Sequence, residues 1–357
     1  MKKWWMGISL LLIVVLLAAC GSKSNAPAAS GESAPASGNA STSSGDKPIE
    51  LTYAFFAPAT TFPAKQMEKW KEEVEKRTNG KVTVKLFPGG TLLTDKNMYD
   101  GVKSGVADIG LSVMTYEPGR FPLMTIAEMP SGFPNAKVAS QVVYDLMQEY
   151  PQDAFKDMKL ITAFATEPAY LQTKDPISTL SDLKGKQIRI SGALAPVLKG
   201  MGASPVGMSQ SEAVEALQTG VISGYVSSRE VLKDLKFAEM VKYETNYPLT
   251  VSTFAAVMNK DKWDSLPPDV QKVINDLGPE IAAWAGEFLD TSVKGAMEWA
   301  QTEQGFKVIE LSPEEKKVWD EKLKPFQDKT VSDLQAKGLP AEEFRKRVYE
   351  LKDQYSK

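Results

Sequence analysis

The sequence has no histidine and a single cysteine in 357 residues. Without histidine there is no imidazole base, no imidazole metal ligand and no serine–histidine triad. The one cysteine, Cys20, excludes an intrachain disulfide. Neither sign of charge dominates. Lys and Arg total 42 against 45 Asp and Glu, a net charge of −3, and the pI is near 5.5. Nucleic acid is therefore not an expected partner. The chain also lacks a Gly-rich phosphate loop, EF-hand spacing and internal repeats. Its carboxylates fall on helix faces or in caps, so no catalytic constellation, cofactor or metal site is expected. What is present is ordinary for a globular chain, 43% hydrophobic and 24% charged residues. The length suits two domains.

The N-terminus reads as an export signal. Lys2 and Lys3 form a basic start, and Ile8 to Leu17 is an apolar run too short to span a membrane comfortably. It ends in Leu17-Ala18-Ala19-Cys20, followed by Gly21, which looks like a bacterial lipobox. Residues 1–19 are thus expected to be a lipoprotein signal peptide, with lipid on the thiol of Cys20. The alternative is an uncleaved anchor with an incidental cysteine. Two acyl chains suffice for stable membrane attachment. Residues 20–46, rich in Ser, Ala, Gly and Pro, cannot bury a core and are expected to form a flexible tether. At about 5–6 Å times the square root of its length, the tether reaches roughly 30 Å. The folded part is expected outside the cytoplasm, held at the membrane.

Ile49 to Phe56 reads as a strand. It is followed by a turn holding Thr60 and Thr61, then a helix from Pro63 to Thr78 with Met67, Trp70 and Val74 on one face. The two threonines suit either helix capping or hydrogen bonding to a ligand. Strands at Lys81 to Phe87 and Ala107 to Val113, with a helix over Asp95 to Lys103 between them, predict parallel crossovers. The loop after the third strand carries Tyr116 and Arg120 and falls on the edge where open α/β sheets bind ligands. Tyr116 suits stacking on or bonding to a ligand, and Arg120 suits a second cation. The opposing reading is a surface turn at Pro118-Gly119 with Arg120 in solvent. A helix from Asn135 to Tyr150 and a strand from Met158 to Phe164 complete the first part.

The stretch from Lys184 to Arg229 predicts strand, helix, strand, helix, strand. In Lys186 to Ser191, Ile188 and Ile190 point to one face and Gln187, Arg189 and Ser191 to the other. An arginine in a strand flanked by helices is costly unless it stands at the ligand-binding end. Arg189 is therefore the candidate anion-binding residue, against the reading of a surface arginine. Ser209 to Glu212 fits a capping box, which gives Glu212 a structural role. The strand from Val221 ends in Tyr225-Val226-Ser227-Ser228-Arg229, facing the same edge. Val251 to Met258 is a return strand. A helix over Asp269 to Leu277 precedes a second, long one from Pro279 to Gln304, then a strand to Leu311, a helix capped at Ser312 and a final charged helix from Pro340.

The run IRISGALAPVLKGMGASPVGMSQSEAVEALQTGVISG, residues 188–224, resembles the core motif of TRAP-type (tripartite ATP-independent periplasmic) extracytoplasmic solute-binding proteins. Its marks are Arg189 on the strand, Gly-Ala-x-Pro-Val at Gly202 to Val206, Glu-x-x-x-Ala-Leu-Gln-x-Gly from Glu212 to Gly220, and Gly-x-x-x-Gly from Gly220 to Gly224. The resemblance extends from about Glu50 to the C-terminus. It implies an α/β, two-lobed, periplasmic-binding-protein-like (class II-like) fold with mixed sheets, hinge crossings and a long lobe-spanning helix. The lobes would be 47–166 with 254–293, and 167–253 with 294–357. It also implies capture of an organic acid by Arg189, in a cleft with Ser191, Tyr116, Thr60, Thr61, Tyr225, Ser227 and Arg120, and delivery to a TRAP-type membrane permease by a monomeric protein. Two departures bear on the ligand. Ser227 stands where an asparagine often assists the arginine, and Ala169 lies where some acid-sugar binders carry a second arginine. A small or aromatic monocarboxylate follows. The rival readings are a sensory ligand-presenting protein, a binding protein of ATP-driven (ABC-type) uptake, and an extracellular enzyme.

Overall fold

The computed structural model describes residues 48–357. The signal segment, Cys20 and the tether lie outside the described residues. In chain order the first elements are β1 (Ile49–Phe55), α1 (Phe62–Arg77), β2 (Val82–Phe87), α2 (Met98–Lys103), β3 (Ile109–Val113), α3 (Met124–Glu128), α4 (Ala136–Glu149) and β4 (Met158–Ala165). Next come β5 (Ala169–Thr173), β6 (Gln187–Ile190), α5 (Ala195–Gly200), β7 (Ser204–Gly207), α6 (Gln210–Gln218), β8 (Gly224–Ser227), α7 (Val231–Asp234) and β9 (Tyr243–Thr250). The last are β10 (Thr253–Asn259), α8 (Lys260–Ser265), α9 (Pro268–Glu303), β11 (Lys307–Ile309), α10 (Pro313–Gln335) and α11 (Ala341–Tyr355).

Two mixed sheets form, one per lobe. The five-stranded sheet has the order β2-β1-β3-β10-β4, and the six-stranded sheet β11-β9-β5-β8-β6-β7. In the first, β1 runs parallel to β2 and β3, while β10 is antiparallel to β3 and β4. In the second, β6 is parallel to β7 and β8, as the strand–helix–strand pattern requires. The polypeptide passes from β4 to β5 through Thr166-Glu167-Pro168 and returns from β9 to β10 through Val251-Ser252. These crossings are fastened together: Thr166 N–H donates to the Ser252 carbonyl at 3.0 Å, and Ser252 N–H donates to Thr166 Oγ1 at 3.0 Å. Glu128, buried at the end of α3, accepts from Thr253 N–H at 3.1 Å and from the Thr253 hydroxyl.

The strand alternation and helical stripes account for the cores. Met67, Trp70 and Val74 of α1 pack on the first sheet, with Val142 and Leu146 of α4 in the same core. Ile188, Ile190, Val197 and Leu198 pack in a core of the second lobe. The capping box at Ser209 and Glu212 is present, with Ser209 N–H donating to Glu212 Oε2 at 2.9 Å.

Two expectations are corrected. The helix breaks predicted around Pro279 do not occur: α9 is one helix of 36 residues, roughly 54 Å long. The helix continues through the proline, and beside it the Thr162 hydroxyl donates to the Gly278 carbonyl at 2.8 Å. Ile274, Ile281 and Leu289 enter the first core, whereas Ala300 enters a core of the second lobe. The assignment of 294–357 to the second lobe fails for its last part. Trp319 and Leu323 do pack there, but Val331, Leu334, Phe344 and Val348 belong to the first core. The strand β9, for which no element was read from sequence, runs through Pro248.

Candidate functional site

Arg189 is the penultimate residue of β6 and is 3% exposed. Its guanidinium is held by uncharged oxygens only. Nε donates to the Met208 carbonyl at 2.9 Å, Nη1 to the Val226 carbonyl at 3.3 Å and Nη2 to Tyr116 Oη at 3.3 Å. Among the described residues no carboxylate pairs with it. A buried guanidinium without an anion is costly, and burial weakens its hold on its proton, opposed by Tyr116.

The guanidinium borders a cleft between the lobes. The first lobe contributes apolar walls, chiefly Phe55, Phe56, Phe62, Tyr116 and Phe254. The second contributes Arg189, Gln210, Ser227, Glu230 and Asp234, with Val231 and Leu235. Thr166 and Ser252, on the crossings, close the back. Arg189 is the only cation lining the cleft among the described residues. Burial pushes the Glu230 carboxyl up to about 8 and that of Asp234 up to about 6, so the floor disfavours a second negative charge.

Tyr116 joins the lobes. Its hydroxyl accepts from Gln210 N–H at 2.9 Å as well as from Arg189. At the rim, the exposed Thr60 hydroxyl donates to the Asp234 carbonyl at 3.4 Å, and Lys96 of the first lobe meets Glu212 of the second at 2.7 Å.

The residues proposed from sequence separate into two groups. Arg189, Tyr116, Thr61 and Ser227 line the cleft. Thr61 does not cap α1 with its side chain; its hydroxyl donates to the Pro58 carbonyl at 2.7 Å. The other four lie outside the lining. Thr60 is at the rim. Ser191 is buried beyond the strand end. Tyr225 is in register with Arg189 on the neighbouring strand, but its ring is buried against Phe237, 4.6 Å between centroids. Arg120 is turned away: it pairs with Glu117 and Asp100 and lies over the Tyr99 ring. Sequence reasoning missed Gln210, Glu230, Asp234 and the Phe254 wall. Of these only Phe254, in an apolar return strand facing the crossover edge, carried a local signal.

A two-lobed α/β molecule with paired crossings and a mostly apolar cleft holding one unpaired cation has the build of a receptor for a small solute. The profile of the family described as bacterial extracellular solute-binding protein, family 7, matches residues 53–333, and the chain belongs to that family. It resembles the structure of a TRAP periplasmic solute-binding protein from Desulfovibrio salexigens, 45% identical, TM-score 0.77, covering 87% of this chain and 97% of that one. It also resembles a marine metagenome TRAP solute-binding protein specific for aromatic acid ligands, solved with metahydroxyphenylacetate: 28% identical, TM-score 0.82, covering 87% and 100%. A C4-dicarboxylate-binding periplasmic protein of Rhodobacter capsulatus is 25% identical over 308 residues, 83% of this chain and 90% of its own length. The chain is thus a TRAP-type extracytoplasmic solute-binding receptor, not an enzyme. Among the described residues no helix is long and apolar enough to cross a membrane.

Proposed function

We propose that this receptor captures a small monocarboxylate, preferably aromatic, with its carboxylate on Arg189, and hands it to a TRAP-type membrane permease. The observation that carries this reading is a buried guanidinium without an anionic partner, facing phenyl walls. A carboxylate supplies the missing anion through charge-assisted bonds, and the fork keeps its charge at any physiological pH. Phe55, Phe62 and Phe254 suit an aromatic ring. With Arg120 paired elsewhere and Glu230 and Asp234 in the floor, a dicarboxylate lacks a second cation. In this reading Arg189, Tyr116, Thr61 and Ser227 contact the ligand, and Thr60 lies at the mouth. The lobe division follows the two sheets, the protein acts as a monomer, and lipid on Cys20 tethers it outside the cytoplasm. Thermal-shift titration with a panel of organic acids tests the reading. The fitting acid raises the melting temperature, and Arg189→Ala weakens binding about 30- to several-thousand-fold, from the roughly 2–5 kcal/mol such a charged pair commands. Stabilisation that survives Arg189→Ala refutes it.

A further inference from the structure

We propose that Glu230 and Gln210 form a second, neutral recognition point in the cleft, which takes an uncharged oxygen, a hydroxyl or carbonyl, of the bound monocarboxylate. This rests on the carboxylate reading above and specifies the ligand further. Buried polar atoms without a partner occur at several places among the described residues, but only two lie on residues lining the cleft: Glu230 Oε2 and Gln210 Nε2. Such orphaned groups are rare because each forfeits hydrogen-bonding free energy. Both belong to the second lobe, the lobe of Arg189, so their spacing from the guanidinium is set within one body.

The chemistry of both atoms points the same way. Glu230 is 3% exposed. Its Oε1 already accepts from the Ser228 hydroxyl at 2.8 Å. Burial, with Asp234 and Glu167 nearby, keeps this carboxyl protonated at neutral pH. In a neutral carboxyl whose one oxygen accepts, the other carries the proton, so Oε2 is a donor. Gln210 Nε2 is a donor by its nature. The lining also includes the carbon of Val231, Leu235 and Phe254, and neither atom has a hydrogen-bond partner within the protein. An uncharged ligand oxygen suits either donor. A second carboxylate does not suit the place, because Asp234 also lines it.

Isothermal titration of the full chain with matched pairs of acids tests this: benzoate against 3-hydroxybenzoate, and phenylacetate against mandelate. The oxygenated member of the better-bound pair is expected to bind about 10- to 100-fold more tightly. Glu230→Leu collapses that ratio toward one. Glu230→Gln, which still accepts from Ser228 and still donates, restores it. Circular dichroism of ligand-free Glu230→Leu checks that the variant is folded, and Glu230→Gln carries the comparison if it is not. A preference that is missing in the parent, or untouched by Glu230→Leu, overturns this inference and leaves the carboxylate reading standing. If every acid fails to bind, or binding is indifferent to Arg189→Ala, that reading falls and this inference with it.

Discussion

Four carboxyls near the cleft and hinge hold their protons more tightly in the folded chain than in the unfolded one. Burial pushes Glu128 and Glu230 up to about 8, Glu167 up to about 7 and Asp234 up to about 6. The sign follows from linkage: a raised folded value means the folded state binds more protons at intermediate pH. Their contribution to stability is complete below the ordinary value of 4.5 for a glutamate and drains away as pH rises through 6, 7 and 8. Melting temperatures are therefore expected to fall from pH 5 to pH 8. Glu230→Gln, neutral throughout, loses its share of the decline, and its advantage over the parent widens across that window. Equal slopes for the two proteins contradict the assignment. Arg189 was legible in the sequence because a charge inside an apolar strand is a local anomaly. Glu230 was not, because in Ser228-Arg229-Glu230-Val231 it reads like any solvated charge. Its burial comes from the tertiary setting of α7, which packs against α9. Arg120 misled for the same reason, since its partner Asp100 sits on another element.

At the scale of elements, α9 shows how a small residue sets a distance. A Cβ built on Gly286 would fall 2.5 Å from Lys137 Cα and 2.7 Å from the Ala136 carbonyl. The glycine thus lets α9 lie against the start of α4. There Asp290 accepts from Ala136 N–H at 2.8 Å and Lys137 N–H at 3.1 Å, while Asn135 caps Val138 N–H at 2.9 Å. Gly286→Ala meets backbone, which cannot swing aside, and is expected to cost about 1–3 kcal/mol in denaturant unfolding. A neutral result means the helices separate freely. Most of the elements were readable from periodicity and punctuation. The exceptions are instructive. Pro279 looked like a terminus because local sequence does not show that the helix continues through it, beside Thr162 and α4. No element was read at β9, although β11 and β5 flank that strand and complete its ladder.

For the whole molecule, the lobes meet at a buried contact, Tyr116 with Arg189 and Gln210, and at a solvated one, Lys96 with Glu212. Lys96 and Glu212 are 74% and 40% exposed, so their attraction is screened by water and salt. Lys96→Ala is expected to weaken ligand binding only about 1.5- to 5-fold, through faster release, with the effect shrinking at high salt. A hundredfold loss by stopped-flow and equilibrium titration would instead make this pair a principal clasp. The two-lobed plan was legible through the resemblance carried by Arg189 and the run to Gly224, with the length of the chain agreeing. The fate of the C-terminal segment was not, since an amphipathic helix does not state which sheet it will cover. The crossings at Thr166 and Ser252 have a mechanical corollary. Two ribbons laced side by side resist splaying apart, because parting them breaks both hydrogen bonds. With α9 and α10 also running between the two cores, the lobes are tied by strand and helix alike, so a substitution that loosens one tie leaves the others in place.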